Sequence, residues 1–129
     1  MDASAALELV MGRPGRHSIA AALRECEWVI APSLFIYELS NALWKYHKLL
    51  GTRRRDMQER LRQALALVDE LVPAIELGSD ALRLAVESDS PAYDAAYLAA
   101  AMRRKGAILS LDRRINVLAA RWGIQRAGS

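Results

Sequence analysis

Four acidic residues spread along the chain, Asp2, Glu38, Asp94 and Asp112, stand where elements of secondary structure start or stop, and together they offer the ligands of a hard cation. Mg²⁺ and Mn²⁺ take oxygen ligands, Mg²⁺ near octahedral at about 2.0–2.1 Å, and usually keep several waters, so few carboxylates need bind directly. Carboxylates that are desolvated and mutually close repel one another, and a cation is their natural neutraliser. Spacing alone does not single out this quartet, because 15 acidic residues offer many others. Three of the four also have a plainer reading: Glu38 as a solvated helix residue, Asp94 as a first-turn acid favoured by the helix dipole, Asp112 as a helix cap.

The elements that must position these groups are legible as an alternation. Residues 90–115, SPAYDAAYLAAAMRRKGAILSLDRRI, predict a helix with Asp94 in its first turn, a basic turn closed by Gly106, an apolar strand over 107–111, and Asp112 where that strand stops. Ser4 is expected to cap a first short helix that ends before Gly12, and a second helix runs through Ile19 and Leu23 toward Glu25. Trp28-Val29-Ile30-Ala31 reads as a buried strand closed by Pro32, and Ser33 as the cap of a long helix to about Leu50 that carries Glu38. A helix from Arg53 toward Leu71 follows, then a strand over 72–77 with Pro73 near its start, a turn at Gly78, and a helix capped by Ser79-Asp80. Residues 116–122 predict a last helix and 123–125 a last strand. Helices alternating with short strands imply a parallel sheet covered on both faces, with ligands at the carboxyl ends of the strands.

At 129 residues the chain is one domain's worth, 1–129, with no repeat or low-complexity tract. Its 53% hydrophobic content, mostly Ala and Leu with 6% aromatic, favours a helix-rich globular protein over disorder or an all-β sandwich. No apolar run approaches the ~20 residues of a membrane span, and no signal pattern opens the chain, which implies a cytoplasmic protein. The single Cys26 cannot form an intramolecular disulfide and reads as a small hydrophobe on a helix face beside Leu23. A net charge of +3 permits a polyanionic partner without requiring one. His17 and His47 lack ligand spacing.

The phrases Asp2-Ala3-Ser4, SLFIYELSNAL over 33–43, SPAYDAAYLA over 90–99 and Ser110-Leu111-Asp112 resemble, in order and spacing, the motifs of PIN domains, and most closely those of VapC-type toxins of toxin–antitoxin pairs. The resemblance spans essentially the whole chain. It implies a three-layer α/β/α fold with a short parallel sheet, and makes Asp2, Glu38, Asp94 and Asp112 the Mg²⁺- or Mn²⁺-binding set of a ribonuclease. Ser110 would stand where the family often has Thr, Asn41 would orient ligands from one helical turn beyond Glu38, and Ser4 would support Asp2. One departure is that family members usually open with several apolar residues forming the central first strand. Here only Met1 precedes Asp2, so that strand reads as truncated, either because the true start lies upstream or because the strand is missing.

The implied chemistry is metal-assisted hydrolysis of RNA phosphodiester bonds, with no nucleophilic side chain. Asp2, Asp94 and Asp112 would hold the metal directly or through water, and Glu38 would help ligate it or position the attacking water. Lys45, Arg103, Arg104, Lys105, Arg113 and Arg114 are candidate phosphate contacts, although basic runs at helix ends are as often simply solvated. The resemblance further implies a VapB-type antitoxin, and the apolar helices of 33–71 suggest a second copy as partner, with Trp44 and Tyr46 in the interface or the core. The alternative is a PIN-fold binding or assembly protein without turnover. DNA binding by the basic residues lacks a recognition-helix signature.

Overall fold

Successive side chains of a strand point to opposite faces of a sheet, and the core of this protein divides along that rule. The computed structural model describes residues 1–128. The elements are α1 (Ala3–Val10), α2 (Arg16–Arg24), β1 (Ile30–Pro32), α3 (Phe35–Leu50), α4 (Arg54–Leu65), β2 (Glu70–Val72), α5 (Ala74–Ser88), α6 (Ala92–Arg103) and α7 (Arg113–Arg121). β1 and β2 pair in parallel with Ile30 opposite Glu70 and Pro32 opposite Val72. Ile30 and Val72 pack with Leu77 and Leu84 of α5, Leu98 of α6 and Leu118 of α7. Ala31 faces the other way, onto Ala5 of α1, Ile19 of α2, Phe35 and Leu39 of α3 and Met57 of α4. Helices thus cover both faces of a short parallel sheet, the α/β architecture that the alternation implied.

The third position in the sheet is short. Ile108 makes one parallel bridge to Arg126, where a strand over 107–111 and another over 123–125 were expected. Met1 and Asp2 lie between this segment and β1. The Met1 ammonium donates to the Ile30 carbonyl at 2.9 Å, and the Asp2 N–H donates to the Leu109 carbonyl at 3.1 Å. Val29 O and Ser33 N are engaged by β2 and its flank, so the backbone of Ile30 is turned toward Met1. Burial pushes the Met1 amine below its ordinary pKa.

Several boundaries differ from expectation for local reasons. β1 includes Pro32 rather than ending before it, which costs no ladder bond because Ala31 and Ser33 are the residues that face β2. The predicted strand over 72–77 is instead β2 at Glu70–Val72 followed by α5. Pro73, at φ −60, is the N-cap of α5, and the Ser33 hydroxyl accepts from Ala74 N at 3.0 Å, so Ser33 serves α5 and not α3. Leu77, Ala81, Leu84 and Ser88 are buried at helical spacing, and Gly78 lies inside that helix rather than at a turn. Ser79 and Asp80 are interior to it. α4 stops at Leu65, because the Asp69 carboxylate accepts from Val29 N at 2.8 Å and so holds the chain in the extended path of β2. Cys26 is exposed beyond the end of α2, its Sγ donating to the Ala22 carbonyl at 3.2 Å.

Candidate functional site

Each of the four acidic residues is delivered by a helix N-terminus. Asp2 is the N-cap of α1, its Oδ1 accepting from Ala5 N at 3.0 Å, which displaces Ser4 from the capping role. Glu38 lies in the first turn of α3 and Asp94 in the first turn of α6. Asp112 is the N-cap of α7, its Oδ1 accepting from Arg114 N at 2.8 Å. The capping reading of Asp112 is therefore met, and it leaves Oδ2 for Arg114. Orphan N–H groups and the positive end of the dipole at four helix starts offset part of the repulsion among four carboxylates, by about 0.3–1 kcal/mol at each.

The hydroxyl groups knit this set together. Ser4 Oγ donates to Asp2 at 2.7 Å and accepts from Leu111 N at 3.0 Å. Ser110 Oγ donates to Asp2 Oδ2 at 2.6 Å and accepts from Asp112 N at 2.9 Å, so one hydroxyl ties two of the acids. Glu38 accepts from the hydroxyl of Tyr97, which the sequence reading passed over. Its signal was available, since Tyr97 follows Asp94 by three residues and shares its helix face. Asn116, also passed over, donates to the Ser110 carbonyl at 2.9 Å.

Asp2 and Asp94 are buried and Glu38 half-buried, and burial raises the pKa of all three above the ordinary carboxylate range. The hydrogen bonds from Ser110, Ala5 and Ser4 work against this at Asp2, and that from Tyr97 does so at Glu38. Asp2, Asp94 and Asp112 each push Glu38 further up by repulsion, which places the four charges within one another's field. Arg114 opposes the rise at Asp94, its Nε lying 3.7 Å from Asp94 and its terminal nitrogen 3.5 Å from Asp112. An arginine thus bridges two of the acids in the protein alone. Among the described residues no three acidic, histidine or cysteine side chains are arranged to hold a metal ion as they stand. The donor set is nonetheless all-oxygen and anionic, which suits Mg²⁺ or Mn²⁺ and not a thiophilic metal.

Two clefts open on this cluster. One of about 470 Å³ is lined by Glu38, Asp94, Arg114 and the exposed Asn41, and the other, of about 500 Å³, by Asp94, Arg113 and Arg114. The remaining basic residues go elsewhere. Arg103 pairs with Asp80 at 3.2 Å, and Arg104 with Glu70 at 3.1 Å and Glu76 at 3.5 Å. They and Lys105 follow the far end of α6, about 14 Å along its axis from Asp94. Lys45 lines a separate cleft with Ser4, Arg13 and Tyr46.

The sequence profile of the PIN domain family matches residues 1–121. Ribonuclease VapC3 of Pyrobaculum aerophilum is 31% identical over 121 residues, which cover 89% of this chain and 89% of that protein.

Proposed function

The chain belongs to the PIN domain family, of the VapC type, and from that premise we propose that it is a Mg²⁺- or Mn²⁺-dependent endoribonuclease, the toxin of a toxin–antitoxin pair. The observation that carries this reading is the convergence of Asp2, Glu38, Asp94 and Asp112 at four helix N-termini, close enough to perturb one another.

Asp2, Asp94 and Asp112 would hold the cation, and Glu38 would complete the set or orient the attacking water. When bound, the cation supplies Lewis acidity that activates water and offsets charge on the phosphoryl group. Ser4 and Ser110 fix the Asp2 carboxylate, and Ser110 also fixes the backbone that presents Asp112. Tyr97 holds Glu38 and favours its ionised form, the form that can accept a proton from water. Arg114 is exposed and would turn from Asp94 to a substrate phosphate once the acids are otherwise neutralised, and Arg113 extends that basic rim. Exposed Trp44, Leu49 and Leu50 along α3 support docking of a VapB-type antitoxin or a second copy, and the absence of a helix long and apolar enough to cross a membrane among the described residues fits a cytoplasmic setting.

The test is cleavage of RNA with Mg²⁺ or Mn²⁺ present: full activity in Asp94→Asn would overturn the assignment. One observation favours a second reading, a PIN-fold binding protein without turnover, namely that no three of the acids are in ligating arrangement among the described residues. Calorimetric titration with Mn²⁺ separates the two, since the binding protein would give no heat at this site.

A further inference from the structure

We propose that Asn116 is a positioning residue of the acidic site: its side-chain amide and the Ser4 hydroxyl grip the two ends of the Ser110–Leu111 peptide group, and so fix the segment that supports Asp2 and presents Asp112. The proposal rests on the metal-dependent reading above and deepens it by adding a residue that acts through the backbone.

Residues 110–112 join the last sheet contact to α7. The sheet-type bonds of Ile108 and Leu109 stop one residue short of them. Asn116 Nδ2 donates to the Ser110 carbonyl at 2.9 Å, and the N–H of Leu111 donates to Ser4 Oγ at 3.0 Å. The carbonyl and the N–H belong to one planar peptide unit, so holding both fixes its plane. Asn116 rides on α7, which packs on one face of the sheet, and Ser4 on α1, which packs on the other, so this peptide group spans the two halves of the core. On one side of it the Ser110 hydroxyl serves Asp2 and the Asp112 N–H together, and on the other side Asp112 begins α7.

Asn116 reaches its target because it is the fourth residue of α7, and helical side chains lean back toward the N-terminus. This is not helix capping. The orphan groups of a helix start are N–H groups, one of which Asp112 already serves, whereas Asn116 donates to a carbonyl that precedes the helix. The other end of the amide is a second observation. Asn116 Oδ1 is buried and accepts no hydrogen bond among the described residues. One polar atom is satisfied while another is orphaned, so the amide adds little net hydrogen-bond energy, and an apolar residue of similar size would leave no orphan. What the amide supplies and an apolar side chain does not is a fixed carbonyl.

The experiment compares the full chain with Asn116→Leu, which removes the donor, Asn116→Asp, which sets a carboxylate against the carbonyl, and Asn116→His, whose Nδ1 takes the place of the amide nitrogen. In metal-free protein, amide hydrogen exchange at Leu111 and Asp112 is expected to be about tenfold faster in the Leu variant, with Ile108, bonded to Gln125, within about twofold of the parent. Calorimetric titration is expected to show Mn²⁺ bound about tenfold more weakly by the Leu and Asp variants, and His to recover most of that loss. The melting temperature of the Leu variant should stay within about 3 °C, because the orphaned acceptor is gone. Unchanged exchange at Leu111 and Asp112 would overturn the proposal, as would Mn²⁺ affinity within twofold of the parent in both donor-less variants. A lowered melting temperature with Ile108 exchanging as fast as Leu111 would also overturn it and mark Asn116 as an ordinary structural residue. Should Asn116→Asp fail to fold, the Leu and His variants carry the comparison. Failure of the metal-dependent reading is seen separately, as no Mn²⁺ uptake and no RNA cleavage by the unsubstituted chain, and the exchange measurement requires no metal.

Discussion

Asp94 shows how a single residue serves opposed demands. It sits 7% exposed at the start of α6, where desolvation and its acidic neighbours favour protonation, while Arg114 and the helix start favour the charge. Neutralising it therefore has two expected consequences of opposite sign. Asp94→Asn should lower metal-dependent RNA cleavage by at least about 100-fold, yet raise the stability of the metal-free protein by about 0.5–2 kcal/mol, read as a higher melting temperature. A variant that loses both activity and stability would instead make Asp94 a structural residue. Tyr97 allows a finer test. Its hydroxyl stabilises ionised Glu38, so Tyr97→Phe removes a contribution that holds the Glu38 pKa down and should move the acid limb of the cleavage profile to higher pH. An unmoved limb with merely reduced rate would mean that Glu38 is not the group titrating.

At the scale of elements, α5 shows both the reach and the limit of the sequence. Leu77, Ala81 and Leu84 recur at helical spacing and bury against α6, but Pro73 and Gly78 bracket Ile75 and Leu77 in a way that mimics a strand between breakers. Proline is comfortable at a helix start, and Gly78 faces open space, so neither breaks anything here. Gly78→Ala is accordingly expected to stabilise the protein by about 0.5–1 kcal/mol in chemical denaturation, since the added Cβ meets nothing within 4 Å. Leu84→Ala, at 0% exposure, should cost about 2–5 kcal/mol in the same measurement. The helices that carry Glu38 and Asp94 were readable because their apolar residues and first turns are local signals. The strand that was to deliver Asp112 was not, because residues 107–111 owe their path to single bonds with Asp2, Gln125 and Ala127, partners far away in sequence. The spacing from Asp94 puts Tyr97 on the same helix face, but its pairing with Glu38, 59 positions away, has the same non-local origin.

At the scale of the molecule, the acids come from both halves of the core. Asp2 and Glu38 ride on α1 and α3, which pack on one face of the sheet, and Asp94 and Asp112 on α6 and α7, which pack on the other. The Tyr97–Glu38 and Ser110–Asp2 bonds join the halves at that seam. Global stability should therefore depend on how the seam's charge is balanced. The raised pKa values of Asp2, Glu38 and Asp94 mean that the folded protein retains protons which the unfolded chain has already released. Between the ordinary carboxylate range and those raised values, metal-free stability must fall as pH rises. The Met1 amine acts in the opposite sense, since its lowered pKa makes stability climb as pH rises toward the ordinary amine value. A divalent cation bound only by the fold adds about 2.7 kcal/mol at 100 times its dissociation constant, and favours the ionised acids. Thermal melts from acid to neutral pH should thus show a descending metal-free limb that flattens or reverses with Mn²⁺, and Glu38→Gln should shallow the descent. Parallel curves with and without Mn²⁺ would show that the seam is balanced by Arg114 and the helix starts alone, and that no cation is taken up there.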